Sequence, residues 1–398
     1  MPQVPKQFVP ALSQLLLLAA LWPALAVECL CAEDSPGPQV GFLGVWDRAV
    51  PMLERAGRQV QLPLLFLSNT EPLPLEELDR LRVLLVLNLP RERVPALLKE
   101  LRQAKQRNPD LRVVPLDARD VHANLKQAGL LDADPGVPRY WRAGGALNLR
   151  RLLVYVAVKY LGRKAEIPPP VDIPQYGYYH PEAKKLASTL KALREQLPWS
   201  PKRPTAVMLI QQSFWITEDT QVIDAQLRAL NRVGFNSVAV FADSTARLRK
   251  MLLELKPDVL IEDRHGGMWE GDSKGTVLQE LDVPYLRPIS MLAYTVQQWL
   301  EDPRGLHPRD VSHFLTLQES KGTIEPIVVG GLKESVRGFR LHVPVPERVE
   351  RFARRTWSWV QLRRTPNRQK RLAIVYYNRT AGQDDLMRGS PTGAFLDA

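Results

Sequence analysis

Along the first part of the chain, short apolar runs alternate with a stretch in which apolar residues recur every three or four positions. "PQVGFLGVWD" (38–47), "LPLLFLS" (62–68), "RVLLVLNLP" (82–90) and "LRVVPLD" (111–117) have the length and composition of strands. Between the last two, "RERVPALLKELRQAKQRNP" (91–109) carries a helical period and stops at Asn108-Pro109. Strand and helix in alternation predict an α/β layer with a parallel sheet. "NLRRLLVYVAVKYLG" (148–162) reads as a strong helix, with Asn148 placed to cap its start and Gly162 its end.

The pattern then breaks. "RKAEIPPPVDIPQYGYYHPEA" (163–183) holds five prolines, which makes it a stiff, extended connector and a domain boundary. "EAKKLASTLKALREQLPW" (182–199) predicts a helix leading into a second domain. There the alternation is clearest. Strands are expected at 204–213, 236–244, 258–263 and 283–289, and helices at 218–234, 245–257 and 274–282. Thr217 or Asp219 is placed to cap the first helix. Its residues Val222, Ile223, Ala225, Leu227, Ala229, Leu230 and Val233 define one buried face. The expected fold class is therefore α/β and multi-domain, with a parallel flavodoxin-like sheet in the second domain.

Beyond Ser290 the pattern is less regular. "SMLAYTVQQWLED" (290–302) reads as helical, and "GTIEPIVVGG" (322–331) as a strand closed by a Gly-Gly turn. "PERVERFARRTWSWVQLRR" (346–364) is an amphipathic helix with Val349, Phe352, Ala353, Trp357 and Val360 on one stripe. A linker follows, and Arg371 to Tyr377 reads as a fresh strand opening a further unit. The predicted organisation is an N-terminal α/β domain at 38–162, a connector at 163–181 and a flavodoxin-like domain with extension at 182–345. A basic helix and linker at 346–370 and the start of a truncated domain at 371–398 complete it.

Composition changes this picture at two places. The chain has 398 residues, 45% of them hydrophobic, with 54 Lys+Arg against 43 Asp+Glu. Wholesale disorder is excluded. The basic excess is concentrated between Glu347 and Arg371, where nine Lys/Arg face two Glu. Such a run is most often a solvated helix face, and no nucleic-acid partner is expected. The second place is the N-terminus. Lys6 is followed by no charge until Glu28; Leu15–Trp22 is apolar, and Ala24-Leu25-Ala26 is a small-x-small site. That is the layout of a signal peptide over residues 1–26. The expected location is periplasmic or otherwise extracytoplasmic; an uncleaved segment would instead anchor the chain at a membrane. Cys29 and Cys31 are the only cysteines, so neither a disulfide framework nor a cysteine zinc site is expected in the body.

Candidate chemistry is sparse. No G-x-x-x-x-G-K-[ST] phosphate loop, no H-E-x-x-H and no G-x-S-x-G occur. The six histidines are scattered, so no sequence-local metal site is expected. The best candidate is the loop "IEDRHGGMWEGDSKG" (261–275), which leaves the carboxyl end of a strand, where open α/β sheets bind ligands. It combines Glu262, Asp263, His265 and Glu270 with four glycines and Trp269. Glu262, His265 and Glu270 offer metal ligands or proton carriers, and Trp269 offers a face for a flat ligand. A solvated loop with glycine turns is the plain alternative. "SFWITED" (213–219) also follows a strand end, and its aromatics suit either a ligand or a domain contact. His180 in "YGYYHPEA" suits packing of the connector against a domain.

Several stretches together carry a family likeness. "VPRYWRAGGALNLRRLLVYVAVKYLG" (137–162) and "IPQYGYYHPEA" (173–183) come first, and "RPTAVMLIQQSFWITEDTQVIDAQLRALNRVGFNSVAVFADS" (203–244) follows. With "GTIEPIVVGG" and "WVQLRRTPNRQKRLAIVYYN", these resemble the large subunit of cobaltochelatase and its relative, the large porphyrin-binding subunit of magnesium chelatase. The resemblance runs from about residue 40 to the end. It implies a tetrapyrrole as substrate or ligand, a divalent metal (cobalt or magnesium) to be inserted, and ATP hydrolysed by separate AAA+ partner subunits. It implies no catalytic residue in this stretch, because the family's metal-handling residues lie mainly beyond it. In the last loop Gly382 is kept, but Gln383 and Asp385 replace the family's lysine and asparagine. The expected function is the N-terminal part of a cobaltochelatase-like large subunit. The alternative, prompted by the signal-like N-terminus, is an exported haem- or cobalamin-type tetrapyrrole binder or metal-removing protein of an uptake system.

Overall fold

A computed structural model describes residues 37–117, 123–264, 277–334 and 339–373. The signal-like segment, both cysteines and nearly all of the strand expected at 371–377 lie outside the described residues. Among the described residues, no helix is long and apolar enough to cross a membrane.

The first lobe is built on four parallel strands, β1 (Val40–Leu43), β2 (Leu64–Leu67), β3 (Val83–Val86) and β4 (Arg112–Pro115), in the order β2-β1-β3-β4. Helices cover both faces, which is why the strands are apolar throughout rather than alternating. Val40, Phe42, Val83 and Leu85 face the helices Val50–Gln59 and Gly145–Leu161. Leu43, Leu84 and Val86 face the helix Val94–Arg107. Asp134 ties this layer together. Its buried carboxylate accepts from Gly136 N–H at 2.8 Å, Tyr155 Oη at 2.7 Å and Tyr160 Oη at 2.6 Å, with Lys159 Nζ at 3.0 Å.

The second lobe holds seven strands: β5 (Gly177–Tyr179), β6 (Thr205–Leu209), β7 (Asn236–Phe241), β8 (Val259–Glu262), β9 (Tyr285–Thr295), β10 (Ile324–Glu334) and β11 (Arg340–Pro344). Their order is β11-β10-β9-β8-β6-β7-β5. The five central strands are parallel in the flavodoxin-like order, and antiparallel β5 and β11 close the two edges. Helices Gln221–Val233 and Pro346–Arg364 cover one face and helix Thr245–Leu255 the other.

Several local expectations are corrected. Helix Gly145–Leu161 starts three residues before Asn148, which is fully buried inside it. The Asn148 amide donates to Gly144 O and Val171 O, both at 2.8 Å, and accepts from Val171 N–H at 2.9 Å, so it fastens the proline connector rather than capping. The helix expected over 182–199 shrinks to Leu190–Arg194, capped by Thr189, because the preceding chain is spent on the β5 edge strand and its turn. Residues 290–295 are strand, not helix. They extend β9 alongside β10, and helix Val296–Glu301 begins only after the Thr295 capping box. Tertiary pairing overrides a weak helical preference there. Gly330-Gly331 is no turn; β10 runs through it to Glu334. The glycines permit close packing instead. A Cβ at Gly330 would lie 2.8 Å from a Val222 methyl and 3.0 Å from Val343 O, and one at Gly331 would lie 2.5 Å from Met291 Cε.

Candidate functional site

In each sheet the chain reverses its winding at one point, between β1 and β3 in the first lobe and between β6 and β8 in the second. Crevices at such points, outside the carboxyl ends of the strands, are where doubly wound sheets take ligands. Here the two switch points face each other. The loop after β1 bends at Gly44 (φ 71°), where a Cβ would lie only 2.1 Å from Asn88 O in the loop after β3, so only glycine fits. That bend delivers Trp46, Asp47 and Arg48 to the second lobe. Arg340 N–H donates to Asp47 Oδ2 at 3.1 Å, and Arg55 pairs with Glu218 at 2.7 Å. Phe66 meets Phe339 edge-on at 5.9 Å.

The centre of this junction mixes aromatic and charged groups. The Arg48 guanidinium lies 5.3 Å from the Trp46 ring and 5.7 Å from the Phe214 ring, and Trp46 contacts Trp141 at 6.0 Å. Burial pulls Arg48 below its ordinary range, and the Asp219 carboxylate opposes that pull. Asp219 does not cap its helix; its Oδ2 sits 2.7 Å from His342 Nδ1. Phe214 packs edge-on against the same imidazole at 5.9 Å. Of the two aromatics in "SFWITED", Phe214 thus serves the lobe contact, while Trp215 stacks on Phe241 at 5.6 Å. His342 Nε2 is buried and has no hydrogen-bond partner among the described residues.

The end of β8 contributes two carboxylates that face opposite ways, as the strand period requires. Glu262 continues the Leu260 face and Asp263 the Ile261 face. Glu262 is fully buried, and its oxygens are already engaged. Arg264 donates from Nε at 2.8 Å, from Nη2 at 2.6 Å and from its backbone N–H at 3.0 Å, and the Tyr285 hydroxyl donates as well. A ligand at Glu262 would have to displace these donors. Arg287, buried alongside, donates from Nη1 to Glu262 O at 2.6 Å and Arg264 O at 2.8 Å. Asp263 points into the junction, and Gln226 Nε2 approaches its Oδ2 at 3.4 Å. Burial pushes the Asp263 carboxyl up to about 7, with Arg287 pulling it down and Glu262 raising it. Gln226 Oε1 has no donor among the described residues, which suits a neutral Asp263 that can offer a proton.

The other expected site residues, His265, Trp269 and Glu270, lie outside the described residues. Of the junction groups, Asp263 was legible only as one of several polar residues in the candidate loop, and nothing in the sequence singled out Arg48 or His342. A charged residue directly after an apolar strand was the one available signal for Asp263, and it applies equally to Glu262. His180 is a structural histidine. Its Nδ1 accepts Glu182 N–H at 3.1 Å, Asn231 Nδ2 lies 2.9 Å from Nε2, and burial lowers it to about 4, so it is neutral. Among the described residues, no three His, Cys, Asp or Glu side chains are grouped to hold a metal ion.

The fold and junction define a two-lobed α/β protein whose sheets meet at their switch points. Residues 138–398 match the family CobN/Magnesium Chelatase, and the chain belongs to that family. It is 27% identical over 279 residues to the large magnesium-chelatase subunit of Chlorobaculum parvum, across 65% of this chain and 21% of that protein. With the aerobic cobaltochelatase subunit CobN of Pseudomonas aeruginosa it shares 26% over 272 residues, 64% of this chain and 21% of the other. The catalytic subunit of cobaltochelatase from Mycobacterium tuberculosis has the same fold, with a TM-score of 0.61 at 20% identity over 86% of this chain and 29% of that one. The chain thus spans about a fifth of the length of the curated relatives it matches.

Proposed function

We propose that this chain is the N-terminal part of a cobaltochelatase-like large subunit and binds a tetrapyrrole into which cobalt or magnesium is inserted. The family match over residues 138–398 carries this reading. The junction supports it chemically. Trp46, 38% exposed, opens an aromatic surface to solvent, and Arg48 behind it is a cation suited to a macrocycle carboxylate. The chain has no phosphate loop of its own, so ATP hydrolysis falls to AAA+ partner subunits. The metal is a substrate in this scheme.

Titration of the purified chain with haem and with a metal-free porphyrin, followed by absorbance, tests the reading. The expected result is a saturable Soret shift that weakens about tenfold in Trp46→Ala. No spectral change with either compound overturns it.

The signal-like N-terminus favours a second reading, an exported tetrapyrrole binder or metal-removing protein of an uptake system. Cell fractionation with N-terminal sequencing separates the two. A cytosolic protein that keeps residues 1–26 removes the second reading.

A further inference from the structure

The lobes meet over a thin seam with a polar centre, and the buried groups in it form a connected series across the boundary. Arg48 of the first lobe faces Asp219 of the second, Asp219 binds His342, and His342 neighbours Asp263. We propose that this seam is a proton-linked latch, closed while the Asp219–His342–Asp263 cluster holds a proton beyond that of the neutral imidazole, and loosened when that proton leaves. The inference is independent of which ligand the family reading assigns.

Every charged or titratable group described around Asp263 enters the argument. Helix Gln221–Val233 presents Gln226, whose Nε2 donates weakly at 3.4 Å and whose Oε1 lacks a donor. Strand β11 presents His342, and the loop after β6 presents Asp219 behind it. Strand β9 presents Arg287, whose guanidinium is held by backbone carbonyls and by the Phe314 ring at 4.8 Å. On its own strand, Glu262 is neutralised by Arg264. Arg48 contributes the one cation described from the other lobe. A proton on Asp263 supplies a donor that Gln226 Oε1 and His342 Nε2 both lack. Its loss leaves an ionised carboxylate in a dry site already holding Asp219. Burial outweighs the attraction of Arg287, so the carboxyl is held up to about 7.

Any movement that hydrates Asp263 is then favoured as pH rises. The seam is the weakest boundary available. The Arg55–Glu218 pair is about half exposed on both sides and contributes little. Beyond it, the seam relies on one backbone hydrogen bond to Asp47 and a few ring contacts. Glu218 also sits at φ 56°, a left-handed conformation that a non-glycine residue leaves readily when its partner is lost.

The Arg340 amide, which donates across the seam to Asp47, reports opening directly. Its hydrogen exchange in the full chain, corrected for intrinsic pH dependence, is compared with the Val345 amide, which bonds Val329 O within the second lobe. Arg340 protection is expected to fall about tenfold between pH 6 and pH 8.5 while Val345 stays protected. In Asp263→Asn, protection at Arg340 stays high at both values. In Asp219→Asn, it is low at both. Constant Arg340 protection in the wild type, or the same fall in Asp263→Asn, overturns the latch.

Discussion

Glu262 offers a sharp test, because a buried carboxylate at a strand's carboxyl end can be either a ligand group or a keystone. Its environment argues for the second. Both oxygens receive Arg264, the backbone N–H of Arg264 adds a third bond, and Tyr285 adds a fourth. The Arg264 side chain is only 14% exposed, so Glu262→Gln leaves a nearly dry guanidinium without its counter-charge. It also turns an amide donor toward existing donors. Breaking one side of a buried pair costs about 3–5 kcal/mol. Tyr285→Phe removes one hydrogen bond to a charged group and should cost about 1.5–3 kcal/mol. Replacing both members, Glu262→Leu with Arg264→Leu, removes the stranded charge and should cost less than Glu262→Gln alone. Urea unfolding at pH 7 reads all three, with an unchanged m-value confirming that only stability moved. A loss below about 1 kcal/mol in Glu262→Gln, combined with weaker porphyrin binding, refutes the keystone reasoning and makes Glu262 a ligand group.

Three further predictions follow from the packing. Asn148→Ala strands the Val171 amide and carbonyl and should cost about 1–3 kcal/mol; limited proteolysis should then cut within 163–175, and an unchanged pattern counts against the pinning role. Gly330→Ala drives a methyl into Val222 and should cost about 1–3 kcal/mol; adding Val222→Ala should recover part of that loss, and strict additivity would show that the two do not touch. His180, lowered to about 4 by burial, should stay neutral in NMR titration down to that pH. Its folded value lies below the unfolded one, so its contribution to stability is complete above about 6.5 and is lost as pH falls toward 4. A midpoint near 6.5 would mean the ring is exposed.

How far the sequence could be read varied with the range of the forces involved. Apolar runs such as "RVLLVLNLP" and "PTAVMLIQQS" located strands because both faces of these sheets are covered. Helix Pro346–Arg364 was legible end to end because its buried stripe is periodic. Gly162 ends its helix in the left-handed conformation expected of it. Asn148, Gly330-Gly331 and residues 290–295 were misleading for one shared reason. Each is shaped by a partner distant in sequence: Val171, Val222 and β10 respectively. The local cues in a helix start, a Gly-Gly pair or a run of helix formers cannot register such partners.

The same division holds at the site. The alternation of elements determined two doubly wound sheets, and motif order indicated the family to which the chain belongs. Strand order, hence the position of each switch point, emerged only from the pairing of strands far apart in the chain. Only the tertiary structure set those switch points against each other and brought Arg48, Asp219, Asp263 and His342 from four separate segments into one buried junction. It also separated two adjacent carboxylates that look alike in sequence. Glu262 turns to a face where Arg264 and Tyr285 satisfy it, while Asp263 turns to one where burial is met by too few donors. Ionisation depends on the dielectric and donors around a group, and those are properties of packing rather than of order along the chain.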